Sequence, residues 1–314
     1  MRSRRLLPAA ALCAALTVQA CSDAAPADPP SAAAEPSAST SPASPATAAE
    51  LPDVAPARSA REVARQIVAA EDAIASATTP AGVLAGAGHL QQLAYRELAA
   101  HPRWDARVRS LVPRRLLGLV RDNVASRREF RSMHPTDRAD LSDELPAWRI
   151  VPPAPMRRLR AFYGEAERRF GVDREYLAAI NLVETGLGRI RGTSSAGAQG
   201  PMQFLPSTWS AYGAGGDIHS AHDSILAAGR FLAAHGFNRP GGRPGALYRY
   251  NNSTSYVRGV TLLAEVMKRR PTAFRGYYHW QVYYLTDRGS ILLPEGYAAR
   301  KPIPVDEWLE KHPQ

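Results

Sequence analysis

The sequence has 314 residues, of which 45% are hydrophobic, so it can bury a sizeable core. It exceeds the roughly 100–200 residues of a typical single domain, which indicates a tail or a second unit. The formal net charge is +10, and nearly all of the positive charge is arginine. No zinc, helix-turn-helix or RNA-binding signature accompanies the arginines, so we expect no nucleic-acid partner.

The N-terminus has the features of an export signal. Three arginines precede an apolar stretch over residues 6–18, about 13 residues and too short to span a bilayer. Residues 18–21, Val-Gln-Ala-Cys, resemble a bacterial lipobox, which implies cleavage after residue 20 and a diacylglycerol on Cys21. An ordinary signal peptide cut near Ala20 is the alternative. Because the other cysteine, Cys13, lies inside the signal, we expect an exported chain without an internal disulfide.

Two segments of different composition follow the signal peptide (residues 1–20). Residues 21–57 are rich in Ala, Pro and Ser and nearly lack large apolar side chains, which predicts a disordered tether. Residues 58–150 carry apolar residues at intervals of three and four, such as Val63 and Ile67, with prolines between the runs. This pattern predicts a helical N-terminal region whose purpose the sequence does not indicate.

The first candidate for chemistry is an acid at the end of an apolar helix. The helix is predicted over residues 174–185, after Asp173, which we expect to cap it, and before Gly186, which ends it. Glu184 follows Ile180 by four positions and therefore lies on the core-facing stripe. Burial and the negative end of the helix both favour the protonated carboxyl, as a general acid requires.

A glycine-rich loop comes directly after this helix. In the run "SSAGAQGPMQ", residues 194–203, the glycines let the backbone approach a ligand closely. Ser194, Ser195 and Gln203 supply hydrogen-bonding groups that suit sugar hydroxyl and acetamide groups. The sequence therefore predicts a carbohydrate-binding loop beside Glu184.

Two blocks of sequence resemble one enzyme family. Glu184, residues 194–203 and the Pro-Ser-Thr at residues 206–208 are similar to the signature of bacterial lytic transglycosylases, which have the goose-type lysozyme-like fold. A second block, residues 250–267, resembles the Tyr-Asn motif of this family and the helix after it. The Asn-Ser at residues 252–253 is closest to the membrane-bound B-type branch.

The resemblance implies a role for each matching residue. Glu184 would be the single catalytic acid and base, Tyr250 would hydrogen-bond near it and hold its orientation, and Asn251 would fix the loop. The resemblance also implies four substrate-contacting residues: Ser194, Ser195, Met202 and Gln203.

The reaction implied by the resemblance is cleavage of the β-1,4 bond between N-acetylmuramic acid and N-acetylglucosamine in peptidoglycan, with formation of a 1,6-anhydro sugar. It needs one carboxyl, whereas ordinary glycosidases use two. Between Glu184 and Tyr250 the only other acids are Asp217, expected in a turn, and Asp223, expected with Ser220 at a helix cap. A hydrolytic muramidase and a non-catalytic peptidoglycan-binding lipoprotein remain as alternatives.

No cofactor and no metal are expected. His219 and His222 stand three residues apart near Asp217, but turn histidines of this kind are common and no metal motif accompanies them.

The predicted fold is mainly α. A lysozyme-like catalytic domain over residues 151–272 follows the helical N-terminal region and precedes a small β-hairpin within residues 273–314, with its turn at residues 287–290. We expect a lipoprotein anchored through Cys21 to the outer face of the cell membrane. Peptidoglycan glycan strands are the expected partner, and cell-wall synthesis proteins are further candidates.

Overall fold

The computed structural model describes residues 51–134 and 137–314. The predicted signal peptide, the lipidation site Cys21 and most of the predicted tether lie outside these residues. Among the helices of the described part of the chain, none combines the length and the apolar character that a bilayer crossing requires.

Helices form the N-terminal part of the described chain: α1 (Ala60–Ala75), α2 (Ala81–Ala100), α3 (Asp105–Leu111) and α4 (Arg114–Arg131). Ser59 caps α1 by accepting the backbone N–H of Glu62 at 3.2 Å. The predicted tether extends to residue 57, and its last residues lie against these helices. Leu51 packs over Gly86 of α2, and the Gln66 side chain donates to the carbonyl of Ala55 at 2.9 Å.

The second half of the chain is also helical: α5 (Met156–Phe170), α6 (Arg174–Thr185), α7 (Pro206–Tyr212), α8 (Ala221–Ala234), α9 (Arg243–Tyr250), α10 (Thr254–Arg269) and α11 (Ala273–Tyr277). The bounds predicted for α6 are confirmed, and Gly186 ends it in the left-handed conformation with φ +59. The structure confirms that the protein is mainly α.

The cap predicted for α6 was wrong. Asp173 occupies the position before the helix, but its side chain makes no capping hydrogen bond. Instead its carboxylate accepts from Arg243 at 2.8 Å and pairs with Lys268. One cation from α9 and one from α10 bind the carboxylate instead of the N–H groups of α6, because each adds the attraction between two full charges to its hydrogen bond and a neutral N–H group does not.

Short antiparallel strand pairs join distant parts of the chain: β1 (Glu144–Leu145) pairs with β6 (Ile303–Pro304), β2 (Arg149–Ile150) with β3 (Ile190–Arg191), and β4 (Val282–Thr286) with β5 (Gly289–Leu293). The last helix is α12 (Val305–Lys311). Thr286 pairs with Gly289, so a two-residue turn connects β4 to β5. Trp148, Ile190, Val282 and Leu293 share a small buried cluster that packs this C-terminal segment on β3.

The segment just after α6 is braced by the C-terminal part of the chain. Arg189 is buried, pairs with Glu295 and donates to the carbonyl of Tyr278 at 2.9 Å. The backbone N–H of Val151 in turn donates to the carbonyl of Arg189 at 3.0 Å. The connection from α6 to the glycine-rich loop is therefore held from two sides.

One hydrophobic core extends from the N-terminal helices into α5–α11 and includes Ile67, Leu98, Leu116, Leu177, Val260 and Leu263. Helix α4 lies along α10 in this core. The hydroxyl of Ser126 donates to the carbonyl of Gly259 at 2.9 Å, and the Phe130 ring covers Gly259. Because Gly259 lacks a side chain, α4 and α10 approach closely at this point.

Replacing Gly259 with alanine tests this close approach. The added Cβ would lie 2.6 Å from Cζ of Phe130, which is itself buried, so the ring or the helix must move. We expect Gly259→Ala to lower the free energy of unfolding by about 1–3 kcal/mol in urea titrations.

The matched control is Gly118→Ala in α4. Gly118 is exposed and a Cβ there meets no atom within 4 Å, so helix propensity alone should stabilise this variant by up to about 1 kcal/mol. Equal effects of the two substitutions would show that α4 and α10 do not meet closely at Gly259.

Candidate active site

Glu184 lies in the last turn of α6, as predicted, and its exposed fraction is 8%. Leu177 and Ile180, on the same face of the helix, are fully buried. The helix ends at Gly186, whose N–H donates to the carbonyl of Leu182 at 3.0 Å. A carboxyl is thereby placed at the edge of the hydrophobic core, largely shielded from solvent.

The hydroxyl of Tyr256 donates to Oε1 of Glu184 at 2.8 Å. Tyr256 lies in the first turn of α10 and is fully buried. The motifs in the sequence assign this tyrosine no role in the site. Two features of the sequence could nevertheless have pointed to it. A buried tyrosine usually finds a hydrogen-bond partner for its hydroxyl, and Tyr256 closely follows the Tyr-Asn motif.

Aromatic contacts fix the ring of Tyr256 on both sides. The Tyr250 ring stacks parallel to it, with centroids 6.5 Å apart and 7° between the planes. The Phe130 ring of α4 meets it edge-on at 6.5 Å and 74°. Ser253 caps α10 by accepting the N–H of Tyr256 at 3.2 Å. The position of the hydroxyl is thus set by packing from α4 and by the start of α10.

The glycine-rich loop closes on itself. The side chain of Ser194 accepts the N–H of Ala198 at 3.0 Å, and the backbone N–H of Ser194 donates to the carbonyl of Ala198 at 3.0 Å. Gln199 and Phe204 form an antiparallel bridge. Gly200 has φ +74, and a side chain there would collide with the carbonyl of Ile218. The loop is therefore an ordered turn in which glycine is required at residue 200.

Helix α6 holds this loop through one carbonyl. The oxygen of Pro201 accepts from Asn181 Nδ2 at 2.9 Å and from the Thr185 hydroxyl at 2.6 Å. Tyr163 donates in turn to Asn181 Oδ1 at 2.7 Å. Burial raises the pKa of Tyr163 well above its usual value, so its hydroxyl remains a neutral donor. Asn181 and Thr185 flank Glu184 on α6, which couples the loop position to the acid.

Met202 and Gln203 occupy the end of the loop. Met202 is fully buried and its carbonyl accepts the Tyr250 hydroxyl at 2.6 Å. Gln203 has φ +49, a left-handed conformation that is uncommon for a residue with a side chain, and its Nε2 donates to the carbonyl of Gly200 at 3.0 Å. Strained backbone of this kind concentrates at functional sites.

The structure therefore brings several predicted site residues into one network of contacts. The Tyr250 hydroxyl donates to the Met202 carbonyl, and the Tyr250 ring stacks on the ring of Tyr256, whose hydroxyl donates to Glu184. Asn251 is buried directly after α9. Of the two loop serines, Ser194 holds the turn, whereas Ser195 is exposed on the loop surface.

The two other acids near the motif blocks have structural partners. Asp223 accepts the N–H of Asp217 at 3.0 Å and pairs with His222 at 2.9 Å. The backbone N–H of Asp217, together with His222, lowers the pKa of Asp223. Asp217 accepts the N–H of His219 at 2.8 Å. As predicted, Asp217 lies in a turn at the start of α8, and Ser220 caps that helix.

Metal-ligating side chains do not gather in the described residues: no group of three or more His, Cys, Asp or Glu side chains could hold an ion there. His222 lies between Asp223 and Glu165, with Nε2 of His222 3.0 Å from Oε2 of Glu165. It links α5 to α8.

Comparison of the chain with protein-family models, with curated proteins and with solved structures gives no match. The two motif blocks and the geometry around Glu184 are therefore what supports a function.

The hydroxyl of Thr185 provides a test of the link between α6 and the loop. Thr185→Val keeps the shape of the side chain but removes its buried hydroxyl. The N–H of Gly188, which donates to this hydroxyl at 3.0 Å, then loses its partner. We expect a loss of about 1–3 kcal/mol in the free energy of unfolding. Thr185→Ser keeps the hydroxyl and should lose less than half as much; a larger loss in Thr185→Ser than in Thr185→Val would mean that packing of the methyl group, not the hydrogen bond, matters.

Proposed function

We propose that the protein is a peptidoglycan lytic transglycosylase in which Glu184 is the single acid and base, and that α5–α11 adopt the lysozyme-like arrangement with a C-terminal hairpin. The observation that carries this proposal is the buried carboxyl of Glu184, which accepts a hydrogen bond from Tyr256. The glycine-rich loop is hydrogen-bonded to the same helix through Thr185. A general acid requires a defined orientation and a poorly solvated environment, and both are present.

In the proposed reaction, the Glu184 carboxyl gives its proton to the glycosidic oxygen between N-acetylmuramic acid and N-acetylglucosamine. The bond from C1 to that oxygen breaks, and the 2-acetamido carbonyl oxygen shares the positive charge at C1. The Glu184 carboxylate then takes the proton of the C6 hydroxyl of the same sugar, and O6 bonds to C1. The product is a 1,6-anhydro sugar, and water is not consumed.

The intramolecular attack by O6 is favoured by its high effective concentration at C1. Tyr256 keeps Oε1 of Glu184 in place through both proton transfers. Asp217, in the turn before α8, and Asp223, in the first turn of α8, both accept backbone hydrogen bonds there, which supports a mechanism that needs one carboxyl. The cell-envelope location, the lipid anchor on Cys21 and glycan strands as partner are part of the same proposal.

Substitution of Glu184 tests the function directly. Glu184→Gln keeps the size and a hydrogen-bonding oxygen but cannot transfer a proton, so turnover should fall at least about a hundredfold. Purified peptidoglycan is digested, and the fragments are analysed by mass spectrometry. The native protein should release 1,6-anhydro sugars.

The other outcomes of that experiment identify the alternatives. New reducing ends in place of anhydro sugars would indicate a hydrolytic muramidase. No new fragments, together with cosedimentation with the wall, would indicate a binding lipoprotein. Undiminished release by Glu184→Gln would contradict the assignment of the acid.

Removal of the Tyr256 hydroxyl tests its positioning of the acid. Loss of a hydrogen bond to a group that becomes charged slows a reaction by about 10- to 100-fold. Tyr256→Phe should therefore lower kcat by that factor with little change in KM. Tyr297→Phe is the matched control, because its hydroxyl also donates to one acceptor, the carbonyl of Pro146 at 2.6 Å, in the C-terminal segment. A kcat that falls equally in both variants would show a loss of folding rather than of positioning.

A further inference from the structure

An apolar groove of about 730 Å³ opens on the outer side of the N-terminal helices. Its lining includes Val68 and Ala73 of α1, Val83 of α2 and Leu111 at the end of α3. Val83 and Leu111 have exposed fractions of 36% and 37%, which is unusual for large aliphatic side chains. Together with the apolar groove between them, they form a contiguous apolar patch, the kind of surface that interaction sites have.

A third exposed aliphatic side chain lies beside the groove. Val54 is 42% exposed and packs with Leu51 over Gly86 of α2. Leu51 itself lines the groove. The apolar surface therefore combines three separate chain segments, namely the approach to α1, the start of α2 and the end of α3.

The polar groups at this groove make it cationic. Arg61 and Arg65 of α1 line it and are exposed, and within residues 51–134 and 137–314 neither forms an ion pair. The acid in the lining, Asp72, is held by Arg115 with both oxygens, at 2.7 and 2.8 Å. A ligand for this surface must therefore be apolar in one part and anionic in another, as an anionic phospholipid is.

The chain upstream of the described residues reaches the domain at the same face. Leu51 is the first described residue, and it lines the groove. About 30 residues separate it from Cys21, the residue that the sequence predicts to carry a lipid. If Cys21 is anchored in a membrane, the chain that leads to the anchor leaves the described part of the protein at the groove.

We propose that this face binds the surface of a membrane that contains anionic phospholipids. Arg61 and Arg65 contact the lipid phosphates, and Val54, Val83 and Leu111 reach the boundary of the acyl chains, one of which enters the groove. Membrane contact of this kind would orient the protein in addition to any lipid anchor. The proposal does not depend on the reaction at Glu184.

Vesicle flotation tests the proposal with the predicted mature chain, residues 21–314, carrying Cys21→Ala, so that neither an attached lipid nor the apolar signal peptide with its three arginines contributes. Vesicles of phosphatidylcholine alone are compared with vesicles containing about a third phosphatidylglycerol. We expect binding to the anionic vesicles only. The double variant Arg61→Gln/Arg65→Gln should lower the bound fraction about tenfold, and Val83→Ser/Leu111→Ser should lower it by a similar factor.

The matched control for the arginines is Arg157→Gln/Arg168→Gln, which removes the same charge from exposed positions on α5. It should bind like the unsubstituted chain. An equal loss of vesicle binding in this control would show that only the overall charge of the protein matters, and it would overturn the proposal. Absence of binding to anionic vesicles would also overturn it, as would a dimer in analytical ultracentrifugation that Leu111→Ser dissociates, since a second copy would then cover the groove.

The same variants separate this proposal from the proposed function. Groove variants should digest purified peptidoglycan in solution at the unsubstituted rate, because none of the substituted residues belongs to the site around Glu184. Glu184→Gln should still float with anionic vesicles. The two experiments therefore show separately whether the membrane-binding proposal fails and whether the proposed function fails.

Discussion

The hydroxyl of Tyr256 donates to Glu184 between α10 and α6, at a point where both side chains are buried. A buried carboxyl without hydrogen bonds costs several kcal/mol, so this contact constrains how the two helices pack. A shift of α10 along its axis would break it. Both ends of this contact are set by helix termini: Ser253 caps α10 three residues before Tyr256, and Gly186 ends α6 two residues after Glu184.

The N-terminal helices contribute to the same constraint. Phe130 of α4 contacts both Gly259 and the ring of Tyr256, so α4 reaches the candidate site through a single layer of side chains. The division at residue 150 follows from prolines and composition, but the hydrophobic core is continuous across it. A region whose sequence indicates no chemistry thereby acquires a structural role in positioning the acid.

The sequence predicted what depends on local pattern. The bounds of α6, the burial of Glu184 and the turn around Asp217 follow from periodicity, glycines and capping residues. Long-range partners could not be predicted in this way. The Asp173 carboxylate pairs with cations 70 and 95 residues away, and Tyr256 finds Glu184 across 72 residues. Periodicity assigns a side chain to a face, whereas its partner depends on how the helices pack.

Rigid support on both sides of Glu184 is consistent with a reaction in which one carboxyl acts twice. In the proposed chemistry the leaving oxygen and the C6 hydroxyl must both come within hydrogen-bonding distance of the carboxyl, before and after C1 changes partner. A carboxyl that swung freely would less often be in position to take the proton of the C6 hydroxyl while C1 carries its positive charge. Tyr256 limits rotation from the side of α10, and the Pro201 carbonyl fixes the loop to Asn181 and Thr185 beside the acid. The same preorganisation would serve both proton transfers of the proposed reaction, because one fixed carboxyl can face first the glycosidic oxygen and then the C6 hydroxyl of the same sugar.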